Sequence, residues 1–68
     1  MEELIWGRRI RAYRKLKGFT QEELAKNLEI SVSVLGEIER GNRKPSDEMI
    51  EQITVVLNIT LEELTSIK

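Results

Sequence analysis

The chain has 68 residues, a formal net charge of −1, 40% apolar side chains, no cysteine and no histidine. Such a length makes one domain with a small core and no deep cleft, and the missing residue types exclude disulfides, thiolate or imidazole metal sites, Cys nucleophiles and Ser-His-Asp triads. Charge is uneven: residues 1–44 carry ten basic and seven acidic side chains and residues 45–68 one basic and five acidic, so the first part can approach phosphates while the second is repelled by them.

Met1-Glu2-Glu3 lacks the basic start of a signal peptide, and no stretch approaches the ~20 apolar residues of a membrane span. A soluble, cytoplasmic protein with no membrane partner is expected. From about residue 3 to 17 there is no proline, and Ile10, Tyr13 and Leu16 are spaced to share an inner face of a first helix. Gly18 can end that helix in the left-handed conformation. Lys15 and Lys17 suit a helix C-terminus, but Arg8 and Arg9 lie in the first half, where some of the charge can serve a phosphate backbone.

Phe19 precedes Thr20-Gln21-Glu22-Glu23, an S/T-x-x-E capping box, and is expected in the core as a hydrophobic staple. A second helix over about 21–28 follows, with Leu24, Ala25 and Leu28 on one face. After the short connection Glu29-Ile30, Ser31 can cap a third helix over about 32–39. Leu35 and Ile38 form its inner stripe, and Val32, Ser33, Gly36 and Glu37 fall on the outer face. Two short helices so joined cross steeply, as in a helix-turn-helix that lays its second helix in a DNA major groove. Periodicity alone does not separate that reading from a plain packing hairpin.

Gly41 ends the third helix, and Arg40, Asn42, Arg43 and Lys44 form a basic loop suited to phosphates. Beyond Pro45, Ser46 caps a fourth helix over about 46–57, whose first turn carries Asp47 and Glu48. Met49, Ile50, Ile53, Val56 and Leu57 make a broad apolar face that Val55 extends. Asn58 is a left-handed stop, and Thr60-Leu61-Glu62-Glu63 is a second capping box opening a fifth helix over about 61–66. Val55, Ile59, Leu61 and Ile67, with Leu4, Ile5 and Trp6, offer more apolar surface than a small bundle can easily bury, so they are expected to form a homodimer interface, the alternative being that the termini fold over this surface within one monomer.

Four segments, Ile10-Arg11-Ala12-Tyr13-Arg14, Gly18 to Ala25, Ser31 to Leu35 and Ile38 to Pro45, together resemble the DNA-binding domain of the phage repressor and Cro type, the XRE family. The likeness runs from about Ile5 to Leu64. It implies an all-α, five-helix domain of the lambda-repressor-like type spanning residues 1–68, a dimer, and a transcriptional regulator, expected to be a repressor, on double-stranded DNA carrying a pseudo-palindromic operator. By resemblance, Val32, Ser33 and Glu37, with Gly36 on the same face, meet base edges. Gln21 meets phosphate, and Arg40, Asn42, Arg43 and Lys44 hold the DNA backbone. Arg14 and Glu39 match a pair that joins the first helix to the third as a buried salt bridge.

Three features depart from the family pattern. Glu29 stands where a turn glycine is usual, Gly36 weakens the recognition helix by ~1 kcal/mol relative to Ala, and no Arg, Lys, Asn or Gln occupies the central positions from which purines are read bidentately. Modest direct readout is therefore expected, with affinity mostly from phosphate contacts. The alternative is a protein-interaction module on the same fold, antitoxin-like or an adaptor, that holds a polypeptide through Val32, Val34 and the acidic end. No paired carboxylates, nucleophile with base or phosphate-cradling glycine loop is visible, so no enzyme activity, cofactor, metal or small-molecule ligand is expected.

Overall fold

The computed structural model describes residues 2–65, with side chains from 6 to 64. Five helices follow in order: α1 (Glu2–Leu16), α2 (Gln21–Leu28), α3 (Val32–Glu39), α4 (Asp47–Leu57) and α5 (Leu61–Thr65). The described residues form no strand. None of these helices is long and apolar enough to cross a membrane.

The helix starts follow from local chemistry. Thr20 Oγ1 accepts from the Glu23 N–H at 3.0 Å while the Thr20 N–H donates to Glu23 Oε1 at 2.9 Å. Thr60 and Glu63 repeat the arrangement at 2.9 and 2.8 Å. Ser31 and Ser46 each accept a backbone N–H three residues on, from Val34 and Met49, at 3.1 Å. Each cap satisfies backbone donors that the first helical turn leaves without an intrahelical partner.

The helix ends share one device as well. At Gly18, Glu29, Gly41 and Asn58 the chain takes a positive φ of 84°, 60°, 84° and 55°. In each case that residue and the next donate backwards into the last turn, as in Gly18 N–H to Lys15 O (3.1 Å) and Phe19 N–H to Arg14 O (3.0 Å). This double closure satisfies terminal carbonyls and reverses the chain. After three of the reversals the next side chain, Phe19, Ile30 or Ile59, is turned back against the core.

Every helix contributes to that core. Ile10, Leu24, Leu35, Ile38, Ile53, Leu57 and Leu64 are fully enclosed, each worth ~1.5–3 kcal/mol of transfer free energy. α1 lies against α3, α2 against α3 and α4, and α5 against α1 and α4. Gly7 sets the α1–α3 approach: a Cβ there would stand 2.6 Å from the Glu39 carbonyl oxygen and closer still to that of Ile38. No side chain larger than hydrogen fits.

Two expectations about side chains change. Leu16 is 76% exposed, not on the inner face with Ile10 and Tyr13. Three-residue steps fall about 60° short of a full turn, so Leu16 has drifted about 120° from Ile10, whereas Gly7, Ile10 and Arg14, spaced three then four, keep the buried stripe. Phe19 is half-buried against the core rather than inside it. Ile67 lies outside the described residues, as do the side chains of Leu4 and Ile5.

Candidate nucleic-acid interface

α2 and α3 are joined through Glu29, Ile30 and Ser31. Glu29 takes φ 60°, ψ 40°, a left-handed position that costs an L-residue ~1–2 kcal/mol, and Ser31 is extended at φ −74°, ψ 155°. This sharp connection packs α3 on α2 with Leu35 and Ile38 inward, leaving Val32 and Ser33 exposed and Glu37 half-exposed. With side chains an α-helix is ~10–12 Å across, so the exposed face of α3, 8 residues long, can enter a B-DNA major groove ~12 Å wide.

Behind α3 sits the Arg14–Glu39 pair. Arg14 Nε donates to Glu39 Oε2 at 2.7 Å and Nη2 to Oε1 at 3.2 Å, while Nη1 donates to the Phe19 carbonyl at 2.9 Å. Gln21 Nε2 adds a third hydrogen bond to the carboxylate, at 3.0 Å to Oε1. The two charged side chains are 9% and 2% exposed. Charge-assisted, bidentate and satisfied from three sides, they tie α1, the start of α2 and the end of α3 into one rigid corner.

In front of that corner is an open groove lined by Arg8, Arg11 and Arg14 of α1, Thr20 and Gln21 at the start of α2, and Glu39, Arg40 and Asn42 at the end of α3. Four guanidiniums face one carboxylate there. Arg14 is neutralised by Glu39, but Arg8, Arg11 and Arg40 are exposed and no described residue accepts from their side chains. Arg9 instead donates to the Glu63 carbonyl at 3.3 Å, joining α1 to α5. So the groove is a focused positive surface on a chain whose total charge is −1.

Gly36 lies on the α3 face between Val32 and Ser33, but the Arg40 side chain covers it. It is buried, and a Cβ would stand 3.0 Å from Arg40 Nη1 and 3.8 Å from Gln21 Nε2. A glycine here lets the Arg40 side chain fold back along α3 towards Gln21. Its missing side chain is filled by the next residue one turn on.

On the outer face Glu37 is paired: its Oε1 accepts from Arg43 Nε at 2.8 Å. Lys44 and Asn42 are exposed in the same loop. The two apolar groups assigned to self-association that project furthest are Val55, 78% exposed, and Leu61, 55% exposed, on neighbouring grooves that share Glu51. Ile59 packs against the core.

The sequence reading did not single out Gly7, Arg8 with Arg11 as open groove residues, or the Glu37–Arg43 pair. A lone glycine inside a helical pattern was the signal for the first. Which of the α1 arginines stay open depends on where α5 docks, and that is set by tertiary packing.

Residues 10–64 match the profile of the helix-turn-helix family. The chain is 67% identical over 64 residues to an HTH-type transcriptional regulator of Bacillus subtilis, YazB, a match covering 94% of this chain and 93% of that protein. It spans 57% and 53% of two longer regulators to which it is 36% and 37% identical. Among solved structures it is similar to the restriction-modification controller protein C.AhdI from Aeromonas hydrophila, with TM-score 0.85 and 35% identity over 91% of this chain and 94% of that one. It is also similar to SinR, a master regulator for biofilm formation crystallised with DNA, with TM-score 0.78 and 37% identity over 85% of this chain and 97% of that one.

Proposed function

The chain belongs to the XRE-type helix-turn-helix family of DNA-binding transcriptional regulators, and from that premise we propose that it is a dimeric repressor that occupies a pseudo-palindromic operator. α3 enters the major groove, with Val32 available to a thymine methyl and Ser33 to a base edge. Gln21, Arg40, Asn42 and Lys44 grip the sugar-phosphate backbone, joined by Arg8 and Arg11 from α1. Two copies meet through Val55 and Leu61, and their α3 helices occupy successive turns of the duplex.

The observation that carries this reading is the set of three exposed arginines, Arg8, Arg11 and Arg40, converging beside the start of α2 with no acceptor among the described residues. Guanidiniums clustered in this way suit phosphate oxygens. The alternative of a polypeptide held through Val32 and Val34 has less support, because Val34 is half-buried against the core.

Selection of bound duplexes from a random DNA pool tests the proposal. It expects a two-fold symmetric site with half-sites about 10 base pairs apart. Val55→Glu should lower affinity for that full site while leaving half-site binding intact. Recovery of a single asymmetric half-site would remove the dimer, and recovery of nothing would remove the operator.

A further inference from the structure

Within α3 itself the outer face presents Val32, Ser33 and Glu37 and no Arg, Lys, Asn or Gln, the side chains that pair bidentately with purine edges, and the Arg40 side chain at its end is folded back over Gly36 beside Gln21. We propose that Arg43 supplies the missing reader from outside the helix, and that Glu37 is its positioning residue, so that the pair presents the terminal guanidinium nitrogens of Arg43 to a guanine. This rests on the DNA-binding reading above. It reverses the roles expected from the sequence, in which Glu37 met bases and Arg43 met phosphate.

The geometry comes from how α3 ends. Gly41, at φ +84°, donates to the Ile38 carbonyl at 3.1 Å, and Asn42 donates to that of Glu37 at 2.9 Å. The chain therefore reverses and brings Arg43 back beside a residue six positions earlier. Glu37 Oε1 takes only the Nε proton of Arg43, at 2.8 Å, and no described residue accepts from Nη1 or Nη2. Those two nitrogens form the end-on fork that matches the O6 and N7 acceptors of guanine. Both side chains remain reachable, at 53% and 41% exposure.

A phosphate role fits this arrangement poorly. The Glu37 carboxylate offsets the charge that would attract a phosphate and repels it at close range, and an exposed ion pair adds little to stability in return. A guanine edge carries no net charge, so the neutralised pair loses less there. What the pair supplies is orientation: with Nε held, fewer rotamers of a long side chain remain to be frozen on binding.

The test uses the selected duplex and versions in which each guanine is exchanged for adenine, with its pairing partner, or for 7-deazaguanine, which lacks the N7 acceptor. Wild type should lose roughly 5- to 150-fold in affinity at one guanine per half-site. Arg43→Ala should erase that discrimination, and Arg43→Lys, which keeps the charge but not the planar fork, should reduce it. Glu37→Ala should narrow it while strengthening binding to the exchanged duplexes. Guanine discrimination that survives Arg43→Ala overturns the inference alone. So does a uniform loss across all duplexes on Arg43→Ala with a uniform gain on Glu37→Ala, the pattern of a phosphate contact. Absence of wild-type binding to any duplex at low salt overturns the DNA reading and the inference together.

Discussion

Replacing Glu39 with leucine leaves the Arg14 guanidinium with one acceptor, the Phe19 carbonyl, and deprives Gln21 Nε2 of its partner. Replacing Arg14 with methionine leaves a carboxylate that is 2% exposed facing only the Gln21 amide. Stranding one member of a buried pair costs ~3–5 kcal/mol. A domain of this size has only about 3–10 kcal/mol of stability in all, so either variant should lose a third of it or more, with a fall in Tm of roughly 4–8 °C per kcal/mol. The double variant, Arg14→Met with Glu39→Leu, removes both charges from the interior and should recover most of the loss, because a well-packed apolar pair replaces an ion pair at little net cost. Urea unfolding followed by far-UV circular dichroism and by the fluorescence of Trp6 gives all four corners of the cycle. The exposed Glu37–Arg43 pair, with the similar donor distance of 2.8 Å, is the internal control and should cost ~1 kcal/mol or less when broken. Single variants of the buried pair that each cost less than ~1 kcal/mol, or a double variant equal to their sum within ~0.5 kcal/mol, would refute the reasoning.

Three further outcomes are expected. Gly7→Ala puts a methyl against the backbone oxygens of Ile38 and Glu39, which cannot move aside as a side chain can; thermal unfolding should show a loss at or above the ~1–3 kcal/mol typical of overpacking. Glu29→Gly relieves a left-handed L-residue at φ 60° and should raise stability by ~0.5–1 kcal/mol after the entropy glycine adds to the unfolded chain, read from the urea midpoint. Replacing both Arg8 and Arg11 with alanine should leave base preference unchanged in competition binding and make the dependence of log affinity on log salt shallower by about 2 per protomer.

Much of this architecture was legible because it is written in local chemistry. Thr20 with Glu23, Ser31, Ser46, and Thr60 with Glu63 mark helix starts by side chains that reach backbone donors three residues away, and Gly18, Gly41 and Asn58 mark ends by tolerating positive φ. Those signals need no knowledge of the fold. Leu16 was misplaced because a three-residue spacing followed too far leaves the buried face. Gly36 was placed on the outer surface because the helix period cannot show that Arg40 folds back over it. The Glu37–Arg43 contact likewise needs the reversal at Gly41, which puts two residues far apart on a helical wheel side by side. At the interface, residue types announced a basic loop, and packing decided which cations stay unpaired.

The affinity of the chain for duplex DNA as a function of salt tests the central claim most directly. With Arg8, Arg11, Arg40 and Lys44 on phosphates, each protomer should release several counterions, so log affinity should fall linearly with log salt with a slope of about −3 to −4 per protomer. A slope near zero, or no binding at low salt, would contradict the assignment of α3 and its surrounding arginines to DNA.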